Sequence, residues 1–157
     1  MTTHSETDLK NLLGIVHDIY EEKIPFNRVL GMQVESLAPE KVSVRFDMKP
    51  DLIGNFVQET LHGGVISAVL DATGGMTASV GILEKLAGRA LEEVAERFTR
   101  IGTIDLRVDY LRPGRGRYFI ASGTAMRTGN KVAVIRMELH NDTGVLIAVG
   151  TGTYMVG

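Results

Sequence analysis

Residues 61–83 read LHGGVISAVLDATGGMTASVGIL, a 23-residue stretch with one formal charge, Asp71, and five glycines. Its length suits a membrane span, which needs about 20 apolar residues. Its centre does not: a carboxylate at mid-bilayer costs about 2.5–3.5 kcal/mol on insertion scales, and the small residues around it offset little. The stretch reads instead as the buried helix of a globular protein. At about 100° per residue, Val65, Ile66, Val69, Met76 and Val80 gather on one bulky side. Gly64, Ser67, Ala68, Asp71, Gly74, Gly75 and Ala78 gather on the other, which is almost shaved flat.

A glycine inside a helix costs roughly 0.5–1 kcal/mol against alanine. A pair of them beside an aspartate therefore implies close approach by something. Two occupants fit. One is a packed strand or helix with Asp71 hydrogen-bonded to a neighbour. The other is a thin ligand lying in a slot that ends at a carboxylate.

The flanking sequence supplies what a buried helix needs. KVSVRFDMKP alternates, with Val42, Val44, Phe46 and Met48 on one face. TIDLRVDYLRP does the same with Ile104, Leu106, Val108 and Tyr110. RYFIASGTAMR and KVAVIRMELH are joined by TGN, and NDTG leads on into VLIAVGTGTYMV, so the C-terminal part reads as a meander of hairpins. Leu9, Leu12, Leu13, Val16, Ile19 and Tyr20 recur at helical spacing near the N-terminus, and EKLAGRALEEVAERFTR reads as a charged surface helix. The expectation is an α+β fold in which an antiparallel sheet of about five to six strands wraps around one long central helix. It forms a single domain over 1–157, with an N-terminal helical extension at 1–27 and a helical insertion at 84–100.

Composition narrows the chemistry. With net charge −2 and a pI near 6.1, there is no electrostatic reason to expect nucleic acid as a partner. The chain has no cysteine, which excludes disulfides, thiolate zinc sites and thiol nucleophiles. MTTHSETDLKNLLGIVHDIYEEK lacks the pattern of a secretory signal, so a cytoplasmic protein without a membrane span is expected.

HGG opens the central helix, and glycine there lets a ligand reach unpaired amides at the positive end of the helix dipole, an arrangement fit for an oxyanion hole. His62 by itself reads equally as a helix cap. His62 and Asp71 lie nine residues apart, about 13–14 Å along the axis and on opposite sides. If both serve one reaction they come from two subunits, so a two-fold dimer with two shared sites is expected.

LHGGVISAVLD resembles the helix-opening signature of the hot-dog fold acyl-CoA thioesterases, in the branch of the phenylacetate-pathway enzyme, human thioesterase superfamily member 2 and the bacterial YigI-type subgroup. TIDLRVDYLRPG and RTGNKVAVIRMELHNDTGVLIAVGTGTYMVG resemble the strands that follow, and the similarity covers about residues 28–157. The resemblance implies a hot-dog fold and hydrolysis of acyl-CoA thioesters with no cofactor and no metal, in a homodimer or dimer of dimers. It implies Asp71 as nucleophile or general base, Gly63 as the amide that polarises the thioester carbonyl, His62 beside that carbonyl and Thr103 holding the water. Asn55 stands one residue away from the family's asparagine position, where this chain has Phe56. Gly64, Arg112, Arg115, Arg127 and Lys131 are candidates for contact with substrate, the basic ones with coenzyme A phosphates.

Low aromatic content (6%) and the absence of tryptophan favour an aliphatic acyl group of medium to long chain. Two other readings stay in play. A hot-dog enoyl-thioester hydratase or dehydratase carries D-x-N-x-x-H before its helix, whereas VQETL precedes His62 here. A non-catalytic acyl-CoA-binding domain would keep the slot without the acid.

Overall fold

The structure, a computed structural model, describes residues 2–157, with side chains described from residue 8 onward. Residue 1 and the side chains of residues 2–7, within the expected 1–27 extension, lie outside the described residues. Helix α1 (Thr2–Asp18) runs into a π-helical turn at Ile19–Lys23. Pro25 starts α2 (Pro25–Leu30), where the missing N–H needs no partner. Strands β1 (Gln33–Ala38) and β2 (Lys41–Asp47) form a hairpin, followed by a ribbon of β3 (Ile53–Asn55) and β4 (Thr60–Leu61). Then come α3 (Gly63–Lys85), α4 (Leu91–Thr99), β5 (Gly102–Tyr110), β6 (Tyr118–Thr128), β7 (Val132–Asn141) and β8 (Leu146–Met155).

Six strands make one antiparallel sheet in the order β1-β2-β6-β7-β8-β5. It wraps α3 as the alternation predicts. β1 and the β3–β4 ribbon go beyond the strands legible in the sequence. The helix expected over 84–100 is two pieces: α3 continues to Lys85, and a turn with Gly88 at φ +82° precedes α4. Only glycine adopts that left-handed backbone without strain.

The concave face of the sheet and α3 enclose the core. Phe46 and Phe119, directly opposite on β2 and β6, stack with ring centroids 5.3 Å apart. Ile66, Val69, Met76 and Val80 are buried against the sheet, while Val65 is half-buried. Thr73, Thr77 and Ser79 return their hydroxyls to the carbonyls four residues earlier, at 2.7, 2.7 and 2.9 Å. Their burial therefore leaves no donor unpaired. Of the most apolar 18-residue window of α3, 61% is buried inside the fold. The apolar side of the helix is spent on its own sheet.

The shaved face is open along only part of its length, which narrows the slot expected from the sequence. Gly74, Gly75 and Ala78 are buried. Tyr154 of β8 fills the notch at Gly74, where a Cβ would stand 2.0 Å from the tyrosine hydroxyl oxygen. Tyr20, from the π-helical turn, covers Gly75 and hydrogen-bonds Ser79 Oγ at 3.2 Å. The accessible part is the half bearing Gly64, Ser67, Ala68 and Asp71. Of the two occupants foreseen for the glycine face, packing takes the C-terminal half, and the N-terminal half stays open.

Because an added methyl at Gly74 meets a fully enclosed ring, Gly74→Ala is expected to lose about 1–3 kcal/mol of stability, the usual cost of overpacking. Urea denaturation measures it. An unchanged midpoint would mean that Tyr154 is not locked against the helix.

Candidate functional site

Asp71 sits in the first half of α3, where two strands reach it together. Thr103 Oγ1 donates to Asp71 Oδ1 at 2.8 Å. The Tyr154 hydroxyl donates to the main-chain carbonyl of Asp71 at 3.1 Å and lies 3.3 Å from Oδ1. Thr103 and Tyr154 are cross-strand partners on β5 and β8, and the register slips between Thr103 and Asp105. That β-bulge decides which side chain meets the helix. Simple alternation puts Ile104 on the face of Leu106 and Val108. With the extra residue, Thr103 takes that position and Ile104 is left 56% exposed. Bulges beside reactive groups commonly re-aim a side chain in this way.

Burial pushes the titration of Tyr154 far above the ordinary tyrosine value, and the charge of Asp71 and the bond to it push the same way. Tyr20 is also raised, chiefly by burial, with its bond to Ser79 opposing and the Asp71 charge adding. Both phenols stay protonated, so Tyr154 is a fixed donor to the aspartate. Asp71 Oδ2 accepts no hydrogen bond from any described residue. Asp71 lines a cleft of about 270 Å³ with Tyr20, Phe26, Ala68, Ala72 and Thr103. One carboxylate oxygen is pinned and the other is available, an arrangement chemically suited to a base or a nucleophile.

At the start of α3, His62 is the N-cap, and its Nδ1 accepts the Gly64 amide at 2.8 Å. An acceptor Nδ1 puts the proton of the neutral ring on Nε2. Gly64 thus spends its amide on the cap. The Gly63 amide donates to no described residue and is the open N–H at the positive end of the helix. Tyr110 of β5 holds this end in place, its hydroxyl donating to the Gly63 carbonyl at 3.1 Å and its ring 3.4 Å from where a Gly63 Cβ would sit. Asn55 Oδ1 accepts the amides of Val57 and Gln58, both at 3.1 Å, and so ties the loop between β3 and β4.

The basic candidates fall at two ends of the molecule. Arg112 donates to the Leu146 carbonyl at 2.9 Å and Arg115 to Gln58 Oε1 at 2.9 Å. They flank Gly114, whose carbonyl accepts the Leu61 amide at 3.0 Å, so both lie near the start of α3. Arg127 and Lys131 flank the β6–β7 turn, which Lys85 holds through the Thr128 carbonyl and Arg97 through the Asn130 carbonyl. That is the far end of a helix about 35 Å long. One protomer does not bring these four together. His62 and Gly63 likewise stand nine and eight positions before Asp71, more than two helical turns away.

Tyr154, Tyr20 and Tyr110, which shape the site, were not among the candidates from sequence. Alternation on β5 grouped Tyr110 with Ile104, Leu106 and Val108, and Tyr20 belonged to the N-terminal helical pattern, but nothing marked any of the three as donors.

The family model of the thioesterase superfamily matches residues 58–148, from the loop before His62 to β8. The chain belongs to the thioesterase superfamily. A medium/long-chain acyl-CoA thioesterase, YigI, of Escherichia coli strain K12 is 46% identical over 145 residues, covering 92% of this chain and 94% of that protein. The Salmonella typhimurium YigI is 44% identical over the same share. A crystal structure from Shewanella oneidensis, described as related to the thioesterase superfamily, superposes with a TM-score of 0.92 at 47% identity, covering 96% of this chain and 98% of that one. A Haemophilus influenzae thioesterase at 18% identity and a TM-score of 0.72 shares the fold. The six-stranded sheet closed around α3 is thus the thioesterase hot-dog fold, with Asp71 on its central helix.

His62 caps the helix through Nδ1, so His62→Ala is expected to cost about 0.5–2 kcal/mol of stability. His62→Asn, which restores a capping oxygen, should recover most of it. Denaturant midpoints of the three proteins decide, and equal midpoints would deny the cap.

Proposed function

We propose that this chain hydrolyses medium- and long-chain acyl-CoA thioesters to the free acid and coenzyme A, at two equivalent sites shared across a two-fold dimer. The observation that carries the reading is the Asp71 carboxylate, held on one oxygen by Thr103 and Tyr154 and free on the other at a cleft. Its relatives in E. coli and Salmonella, named for medium- and long-chain acyl-CoA, support the substrate class.

The reaction needs an activated oxygen nucleophile and a donor for the developing oxyanion. Asp71 Oδ2 supplies the first, either by taking a proton from water as it attacks the thioester carbonyl or by attacking directly. The carbonyl oxygen gains charge and lies against the Gly63 amide, with the helix dipole behind it. The C–S bond then breaks and the coenzyme A thiolate leaves. On the water route it takes the proton that Asp71 removed from water. On the direct route water next hydrolyses the acyl–Asp71 anhydride, releasing the acid, regenerating the carboxylate and supplying the proton. No metal or cofactor is required.

Both groups cannot come from one chain, being about 12 Å apart along α3. Strand β5 supports the way a second copy supplies the missing half. Among the described residues it pairs only with β8 and leaves its other edge unpaired, and it exposes Ile104 and Tyr110 by 56% and 53%; unpaired edges invite strand pairing. Thr103 at one end of β5 touches Asp71, and Tyr110 at the other touches Gly63. Antiparallel pairing of β5 with its own copy, centred between these ends, sets Asp71 of one protomer opposite Gly63 of the other. Arg112 and Arg115, near that same helix start, are then the basic groups close to the leaving coenzyme A.

Asp71→Asn keeps the hydrogen bonds and removes the base. Thiol release from octanoyl- and palmitoyl-CoA is expected to fall at least about 100-fold with an unchanged melting temperature. Near-normal turnover would remove Asp71 from the chemistry, and hydration of crotonyl-CoA in place of thiol release would make the chain a hydratase. Sedimentation should give at least twice the 17.1 kDa chain mass, and an active monomer would overturn the shared site.

A further inference from the structure

We propose that the groove between α1 and α4 receives the distal end of long acyl chains, with Tyr20 as the divide between medium-chain and long-chain binding. This rests on the reading of the chain as an acyl-CoA hydrolase. The groove is about 270 Å³, and every described side chain that lines it is apolar. Leu12, Ile15 and Ile19 come from the N-terminal helix and its π turn, Leu83 from α3, and Leu91 and Ala95 from α4. An adjoining cavity of about 300 Å³ shares Leu12, Ile15 and Leu91 and opens toward Asp8 and Arg89. Together they fall within the size of small-ligand sites, roughly 300–1,000 Å³. Ile15 and Leu91 stay 49% and 62% exposed at the rim, apolar surface with no described neighbour to cover it.

The groove continues the catalytic cleft along one ridge of α3. Asp71, Gly75, Ser79 and Leu83 follow one another at four-residue spacing, which aligns them along one inclined row. Asp71 and Gly75 border the cleft, and Leu83 borders the groove. The walls are also continuous: Ile19 lines the groove and Tyr20 the cleft, while Phe98 lines the groove and Ile101 the cleft. Between them the Tyr20 hydroxyl sits against Gly75 and Ser79, where the ridge has no bulk of its own.

Length selects the occupant. From Asp71 the ridge runs about 12 Å to Ser79 and about 18 Å to Leu83. An extended chain advances roughly 1.1–1.2 Å per bond, or 3.3–3.6 Å for three. An acyl chain of about 8 to 10 carbons therefore ends at Tyr20. One of about 14 to 16 carbons turns that ring aside and reaches the groove, where the polar cleft gives way to wholly apolar walls.

The test fills the groove without touching the cleft. Ala95 is exposed on α4, so Ala95→Phe adds bulk to the groove at a position the fold tolerates, and Ile15→Glu puts a charge at its rim. The ratio of kcat/KM for palmitoyl-CoA to that for octanoyl-CoA is expected to fall at least tenfold in each variant. A ratio unchanged in both would overturn the proposal. Calorimetric titration with palmitate reads occupancy without hydrolysis: wild type should bind it and Ala95→Phe should bind it at least tenfold more weakly. Equal binding sinks the groove even if the wild type proves to hydrolyse neither ester, a result that would instead sink the hydrolase reading.

Discussion

The contact between Gly74 and Tyr154 is the constraint from which the site takes its shape. A side chain at position 74 would occupy the space of the phenol, and the ring would be forced out of the notch. With glycine there, β8 closes on α3 until the Tyr154 hydroxyl reaches both the carbonyl and the carboxylate of Asp71. The glycine sacrifices about 0.5–1 kcal/mol of helix propensity. Hydrogen bonds to a charged group return roughly 1.5–3 kcal/mol each. The exchange favours a helix with a hole in its surface, and the hole fixes the direction in which the aspartate points.

Thr103 depends on the same closure. It lies opposite Tyr154, so whatever sets the depth of Tyr154 also sets the height of the threonine, and the bulge after Thr103 turns its hydroxyl toward α3. Two donors on adjacent strands thus hold one carboxylate oxygen as a unit. The N-terminal end of the helix is built on the same plan, with Tyr110 of β5 against Gly63. One edge strand thus meets α3 at both Asp71 and Gly63.

Much of this was legible before any coordinates. Periods of 3.6 and 2 are independent signals, and both were strong: the apolar helix at 63–85 and the alternating runs of β2 and β5–β8 gave an antiparallel sheet wrapped around one helix, and family resemblance made it a hot-dog fold. β1 alternates weakly in QVESLA and β4 has two residues, too few to show a period. The glycine face was legible as a place of close approach, but its occupants were not. Tyr20 and Tyr154 come from 59 and 83 residues away to Ser79 and Asp71, and no local pattern announces a partner at that distance. His62 could be read as cap or reactive group; the cap is what the structure shows, and Gly64 rather than Gly63 gives its amide to it. The role of Thr103 came from family resemblance, since strict alternation had put Ile104 in its place and a bulge leaves no mark in composition.

The attachment of α4 has a consequence for how such enzymes diversify. Arg97 fastens the helix by donating to the main-chain carbonyls of Asn130 and Val156 at 2.8 and 3.0 Å. Carbonyls persist whatever side chains surround them, so the anchor survives drift in both partners. Leu91 and Ala95, both exposed, can then be exchanged across generations without disturbing the sheet or the aspartate. A lineage carrying this clasp can retune one layer of the molecule while its inherited machinery stays untouched.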